Sequence, residues 1–276
     1  MKQPDYKADL TQWRKDAEAR LLKPEGWLTV AGLFWLSEGE NSLGTKTGGA
    51  VELPIHSGAA SEVGKLLRNG KKVSLEVHEG VDVKVNGQAG THFDLKTDAE
   101  GRPDTVQVGT VSFRIIVRGE RVGVRLYDSG SKAVKEFKGR HWYPVKPEYQ
   151  IKAKFVPYEP AKTFQILNIL GDTELATVPG YVEFSLQGKT YRLDAQDEGD
   201  TLFFNFKDST SGKDTYPAGR FLNTPKASNG VVLLDFNKAV NPPCAFTAFA
   251  TCPLPPQSNI LKVAIPAGEL THHPAH

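Results

Sequence analysis

Between Val73 and Leu126 apolar residues fall at every second position in four successive runs: Val73, Leu75 and Val77; Val81, Val83 and Val85; Val111, Phe113, Ile115 and Val117; and Val122, Val124 and Leu126. A period of two places alternate side chains on opposite faces, so each run predicts a strand with one buried and one wet face. Strands of that kind belong to antiparallel sheets. Turn residues separate them: Glu79-Gly80, Arg118-Gly119-Glu120-Arg121, and Asn86-Gly87, a strong hairpin signal because both positions tolerate positive φ. With Gly 26 and Pro 18 in 276 residues, a helical bundle is excluded. The expected fold class is mainly β, with an antiparallel β-sandwich over residues 25–128.

One segment departs from this pattern. Tyr6, Leu10, Trp13, Ala17 and Leu21 recur at helical spacing, which predicts an N-terminal amphipathic helix within residues 1–24, capped by Asp5 and ended by Pro24. Its apolar stripe must dock, and the sheet that follows is the expected partner. After a polar linker over 129–150, residues 151–276 read as a second antiparallel β unit. Tyr181–Leu193 forms a hairpin about Gln187-Gly188-Lys189, and Leu202, Phe204 and Phe206 make a further strand. Val231–Phe236 is a nearly continuous apolar run, the pattern of a strand buried on both faces. Long irregular stretches, DSTSGKDTYPAGRFL and NKAVNPPCAFTAFATCPLPPQSN, lie between these runs. Irregular segments of that length are usually functional when ordered.

Lys+Arg 34 against Asp+Glu 32 gives +2, so the basic footprint of a nucleic-acid binder is missing. The N-terminal stretch has no apolar core of a secretory signal, no segment reads as a membrane span, and two cysteines make no disulfide framework. The expectation is a cytoplasmic protein without membrane or nucleic-acid partners. The closing THHPAH reads as a mobile tail.

The stretches GWLTVAGLFWLSEGENSLG (Gly26–Gly44), FKGRHWYPV (Phe137–Val145), FKDSTSGKDTYPAGRFL (Phe206–Leu222), LDFNKAVNPPCAF (Leu234–Phe246) and TCPLPPQSN (Thr251–Asn259), in this order and spacing, resemble the bacterial and archaeal domain-of-unknown-function family 1684. That resemblance implies kinship and no activity. A second likeness lies between Asn41 and Gln88, where a glycine loop, an apolar strand and the turn Val85-Asn86-Gly87 are similar to the phosphothreonine-reading forkhead-associated sandwich. It implies a sandwich topology. That family reads phosphate through an Arg after its first loop glycine, whereas Gly44 is followed by Thr45 and Lys46, and His56-Ser57 stands in reversed order.

Candidate chemistry concentrates in the second half. Asp208, Thr210, Gly212, Thr215, Tyr216, Gly219 and Arg220 form the densest polar cluster. It reads either as a rigid Asx/Thr-turn loop with Arg220 paired to Asp208 or Asp235, or as a cleft where Arg220 and Tyr216 bind an anionic or polyhydroxylated small molecule. Asp235, Asn237 and Asn241 surround a strand end, and a buried Asp235 demands a partner, Arg220 being the natural one. Arg140 and His141 sit among aromatics; Arg140 suits a carboxylate or phosphate, and His141 suits a base or a packed histidine. Cys244 reads as a nucleophile if a base such as His141 reaches it, or as a buried hydrophobe, as does Cys252. The ligand set for zinc is too small and no cofactor motif occurs, so neither a metal nor a cofactor is expected. The function predicted is small-molecule binding, with or without turnover, in a C-terminal cleft lined or supported by Arg220, Tyr216, Asp208, Asp235, Asn237, Asn241, Arg140 and His141. A protein-interaction module built on the forkhead-associated-like sandwich, or a structural protein with no ligand, are the alternatives.

Overall fold

In a computed structural model, residues 5–271 are described. Strand accounts for 46% and helix for 16%, so the chain is mainly β. It divides into two compact units, one of Met1–Ala19 with Lys138–His276 and the other of Arg20–Phe137. The expected mobile tail lies, beyond Thr271, outside the described residues.

The helical stripe forms α1 (Tyr6–Leu21). Asp5 Oδ1 accepts the Lys7 amide at 3.1 Å, which caps the first turn, and Leu10, Ala17 and Leu21 are buried. The sequence pointed this helix at the sheet that follows it. Its first fourteen residues instead belong with the C-terminal half, where Tyr6 donates a hydrogen bond to Asp235 at 2.8 Å and Trp13 meets Trp142 edge-on at 6.0 Å. An apolar stripe specifies burial and carries no address; the tyrosine hydroxyl and the indole supply one.

The N-terminal unit contains β1 (Val30–Trp35), β2 (Gly39–Gly44), β3 (Val51–Glu52), β4 (Gly64–Asn69), β5 (Lys72–Val77), β6 (Val83–Val85), β7 (Gln88–Ala89), β8 (His92–Leu95), β9 (Val106–Val108), β10 (Val111–Arg118) and β11 (Arg121–Tyr127). Two sheets form, ordered β1-β11-β10-β9-β6-β7 and β3-β2-β4-β5-β8. All pairings are antiparallel except β2 with β3. Leu43, Leu66 and Leu75 from one sheet and Val83, Phe113, Ile115 and Val124 from the other share one buried core, which makes the unit a sandwich. The four alternating runs are its strands. Between the first two the chain crosses from one sheet to the other. The Asn86-Gly87 hairpin has φ 50 and 84 at its two residues, as the dipeptide predicts.

In the C-terminal unit lie β12 (Gln150–Leu167), β13 (Thr173–Leu186), β14 (Lys189–Glu198), β15 (Thr201–Phe206), β16 (Arg220–Pro225) and β17 (Val231–Asp235), in one sheet ordered β16-β15-β14-β13-β12-β17. Phe184, Leu193, Phe204, Leu222 and Leu234 form its core with Phe206, Phe236 and Ile265 from the flanking loops and strand ends. Two readings change here. The apolar run in β17 is an edge strand beside β12, and its Val231 and Leu233 remain 42% and 43% exposed rather than buried on both faces. The 18-residue β12, whose apolar alternation stops after Ile151, Ala153 and Phe155, pairs with β13 across a register shift between Pro157 and Lys162. A break in the ladder is where a strand tolerates prolines.

Two turns of the sandwich test this description. Gly109 has φ +57, and a Cβ there would lie 2.0 Å from the Ser57 carbonyl oxygen; Gly119 has φ +59 and nothing within 4 Å. Chemical denaturation should show Gly109→Ala losing about 2–4 kcal/mol, because strain and a backbone clash add, against about 1 kcal/mol for Gly119→Ala. Equal losses at the two sites would contradict the packing described.

Candidate functional site

The residues singled out in the C-terminal half separate into hydrogen-bonded groups. In the first, Arg220 is fully buried at the start of β16. Its Nη2 donates to Asp208 Oδ1 at 3.2 Å and to the Ile265 carbonyl at 3.0 Å, and its Nη1 donates to the Ala267 carbonyl. Asp208 also accepts the Thr210 hydroxyl at 2.9 Å and the Ile265 amide at 2.7 Å, and Thr210 contacts Thr215 at 2.9 Å. Burial lowers the Arg220 pKa and the Asp208 charge opposes that shift. Of the two partners the sequence offered, the structure selects Asp208. A guanidinium with no exposed surface is a structural ion-pair partner, and no face of it is open to an anion.

Asp235 belongs to a second group. Its Oδ1 accepts the Tyr6 hydroxyl and the Asn237 amide at 3.2 Å, so the partner expected to be Arg220 is Tyr6. Asn237 is fully buried and links three segments: its Nδ2 donates to the Lys146 carbonyl at 2.9 Å and to the Tyr6 oxygen at 3.0 Å, and its Oδ1 accepts the Lys146 amide at 3.0 Å. Burial, followed by the hydrogen bond to Asp235, raises the Tyr6 pKa.

The third group centres on Glu269, which the sequence reading did not single out. Arg140 Nε lies 3.2 Å from its Oε1, and the Asn241 amide donates to Oε2 at 2.7 Å. Asn241 Nδ2 in turn donates to the Leu270 carbonyl at 2.7 Å. Glu269 is 1% exposed, and burial pushes its carboxyl up from 4.5 to about 7 against the pull of Arg140 and the Asn241 amide. The backbone on either side is laced together: Leu270 N donates to His141 O and Tyr143 N to Gly268 O, each at 2.9 Å. His141 is held by its carbonyl and its side chain is exposed.

Tyr216 and the cysteines make the fourth group. The Tyr216 hydroxyl donates to the Cys244 carbonyl at 2.9 Å, and the Cys244 amide donates to Cys252 Sγ at 3.2 Å. Cys252 and Tyr216 bring the Cys244 pKa down from 9.0 to about 7 against the effect of burial. Cys244 is half-buried, Cys252 is buried, and neither is in a disulfide. The sulfur that meets Cys244 is therefore that of Cys252, against its backbone amide, where the sequence offered His141. Among the described residues no group of three or more His, Cys, Asp or Glu side chains could hold a metal ion.

The family described as "Protein of unknown function (DUF1684)" matches residues 135–270, the span that contains all four groups apart from Tyr6. The chain belongs to this family. A solved structure of the uncharacterized protein from gene locus rrnAC0354 of Haloarcula marismortui is 33% identical, over 50% of this chain and 78% of that one, with a TM-score of 0.42. No curated protein matches the chain. No helix is long and apolar enough to cross a membrane among the described residues.

Where α1 meets Trp142 of the matched span, one groove of about 240 Å³ opens to solvent, lined by Thr11, Arg14, Lys15, Glu18 and Trp142. The Arg14 guanidinium stacks over the Trp142 ring at 4.7 Å and donates to the Tyr143 carbonyl at 3.2 Å. Glu18, also on the wall, accepts the Arg140 amide on its Oε2 at 2.8 Å. Arg14 and Lys15 were not singled out from the sequence, because the tryptophan they meet is more than a hundred residues away.

Arg220→Ala should lower stability by about 3–5 kcal/mol by stranding the buried Asp208 carboxylate. Thermal melts should show partial rescue in Arg220→Ala/Asp208→Asn and none in Arg220→Ala/Asp235→Asn; the reverse pattern would refute the pairing. Glu269 supplies a pH test. Its folded pKa lies above the unfolded one, so the folded chain binds the extra proton, and the stabilisation is full below about 4.5 and lost as pH rises through about 7. Relative to Glu269→Gln, the wild type should lose stability between pH 5 and 8 by on the order of 2 kcal/mol. A pH-independent difference would mean that the carboxyl is not perturbed.

Proposed function

We propose that the C-terminal unit binds a small anionic or polyhydroxylated molecule in the groove formed by α1 and Trp142, in a cytoplasmic protein. The observation that carries this reading is the pairing of two cations with an indole and a hydroxyl, Arg14, Lys15, Trp142 and Thr11, around one solvent-open volume of 240 Å³. The buried Nε of Arg14 has no hydrogen-bond partner, so its guanidinium retains a donor. Two cations against the single acid Glu18, and a planar cation beside an aromatic face, favour an anion carried on a small organic frame. Arg220, Asp208, Asp235, Asn237, Asn241 and Arg140 act beneath this surface as its support, and Tyr216 supports Cys244.

Titration with phenyl phosphate, followed by tryptophan fluorescence, tests the assignment, with inorganic phosphate as the second probe. Saturable quenching that weakens with salt is expected. The exposed Lys15→Ala should weaken binding several-fold and Arg14→Gln by about tenfold, the worth of one charge-assisted hydrogen bond. Unchanged titrations in both variants would place the site elsewhere.

One observation favours the interaction-module alternative. The glycine loop that carries the forkhead-associated likeness borders a cavity of about 380 Å³ with Ser42, Gly44, Lys46, Ser61, Lys65 and His78 on its walls. Lys46 already pairs with Glu62 at 3.1 Å and Lys65 with Glu40 at 2.7 Å, and a Cβ on Gly44 would lie 2.1 Å from the Ser61 carbonyl oxygen. The loop is thus accounted for by packing and ion pairs, and the first reading is preferred. Binding of a phosphothreonine peptide to the isolated surface of Arg20–Phe137, abolished by Lys46→Ala in the full chain, would reverse that preference.

A further inference from the structure

Cys244 and Cys252 stand eight residues apart, and the segment between them folds both sulfurs to one place. Cys244 sits in a short 3-10 turn, Pro243–Ala245, closed by hydrogen bonds from Ala245 N to Pro242 O and from Phe246 N to Pro243 O, each 2.9 Å. Cys252 is anchored from the other side: its carbonyl accepts the Ile169 amide at 2.9 Å, and Leu254 N donates to Leu167 O at 2.7 Å. Its Sγ receives the Cys244 amide at 3.2 Å, which sets the two side chains side by side. Access is graded, with Cys244 half-buried and Cys252 4% exposed. The Tyr216 hydroxyl donates to the Cys244 carbonyl at 2.9 Å, which places it at the residue that carries the thiol.

We propose that Cys244 and Cys252 are a two-electron dithiol–disulfide couple that reduces small hydroperoxides, with Cys244 attacking, Cys252 resolving and Tyr216 donating the proton to the departing oxygen. The proposal is independent of the anion groove. In the first step the Cys244 thiolate attacks the terminal oxygen of ROOH. An S–O bond forms, the O–O bond breaks, and RO⁻ leaves as ROH with a proton from Tyr216 that water restores. In the second step the Cys252 sulfur attacks the Cys244 sulfenic acid. The S–S bond forms, the S–O bond breaks, and the hydroxyl leaves as water with the Cys252 proton. Two thiols and ROOH thus give a disulfide, ROH and water, and two equivalents of a small thiol return the dithiol.

Three features select this substrate class. Cys244 is half-buried in a turn that begins Pro242-Pro243, an access that favours a compact neutral oxidant over a bulky disulfide. A hydroxyl beside the sulfur serves an oxygen leaving group and has no use when a thiolate departs. A thiol that ionises near 7 is about half thiolate at neutral pH.

The reduced full-length protein, given one equivalent of hydrogen peroxide, should lose both thiols and yield a Cys244–Cys252 disulfide in non-reduced peptide mass spectra. Cys252→Ala should accumulate a Cys244 sulfenic acid that dimedone traps, and Cys244→Ala should leave Cys252 reduced over the same time. Tyr216→Phe should slow peroxide consumption tenfold or more while slowing iodoacetamide alkylation, which needs no proton donor, far less. The alkylation rate of the wild type should rise with a midpoint near pH 7. The wild-type thiol count and peptide masses decide the matter even if a variant fails to fold. Retention of both thiols at the rate of free cysteine, equal reactivity of Cys252 without Cys244, or oxidation by glutathione disulfide but not by peroxide would each overturn the proposal.

Discussion

The C-terminal unit depends on one buried guanidinium. Among the described residues, those after Asn259 form no regular strand and touch the rest of the unit through isolated bridges. Their backbone groups still need partners once water is excluded. Arg220 supplies two donors to this segment, at the Ile265 and Ala267 carbonyls, while Asp208 accepts the Ile265 amide and neutralises the charge. Asn241 takes the Leu270 carbonyl, and Asn259, fully buried, accepts the Asp194 amide and donates to the Asp194 and Asn205 carbonyls. Side chains thus do for this segment what a neighbouring strand does elsewhere. Removing one member leaves the others charged or unpaired in a dry interior, which costs far more than the net worth of any single bond.

That demand settles how the polar residues of the two long loops are used. A guanidinium has five donors and a carboxylate about four acceptor sites, and a residue that gives them to backbone has none left for a ligand. Arg220, Asp208, Asn237 and Asn241 give most of theirs in this way, and at 6% exposure or less each none of them faces solvent. What faces outward is what this network holds in place: the Trp142 strip, carried by the bonds of residues 141–143 to residues 268–270, and α1, tied by Tyr6 and Arg14. Two networks meet there, since Glu269 pairs with Arg140, and Arg140 lies 5.6 Å over the Trp142 ring.

Much of this was legible in the chain. Period-two runs located strands of the sandwich, Asn86-Gly87 gave its hairpin, and the stripe from Tyr6 to Leu21 gave α1 with its cap. The sequence also singled out Arg220, Asp208, Asp235, Asn237 and Asn241, all of which are buried and hydrogen-bonded. It could not say which acid Arg220 meets, because Asp208 and Asp235 are alike in type and both lie near β16 in sequence. Nor does pattern reveal exposure: Val231 and Leu233 read as doubly buried until β17 proves to be an edge. β12 escaped because its lysines and prolines hide a strand set by pairing with β13, and Glu269 because a single acid in an irregular segment has no periodicity at all. In each case the deciding contact spans tens of residues or more, beyond the reach of local pattern.

The proline-rich stretch between Asn241 and Asn259 follows a different logic from the segment beyond it. Pro242, Pro243, Pro253, Pro255 and Pro256 have no amide hydrogen, so this stretch presents fewer donors and needs fewer polar partners from the sheet. Several of the donors that remain are met close by: Ala245 by Pro242, Phe246 by Pro243, and Asn259 by Pro256 at 2.8 Å. The Cys244 amide differs in kind, for its acceptor is the Cys252 sulfur, a weak one. A backbone donor aimed at a sulfur gains much more if that sulfur carries charge, so the amide favours sharing of negative charge between the two thiols. Pro243 fixes φ just before Cys244 and Pro253 just after Cys252, which stiffens the chain beside each sulfur without a strand to carry it. The chain therefore keeps its thiol pair in the part of the unit least dependent on the buried polar network, where a change at sulfur leaves the Arg220–Asp208 scaffold untouched.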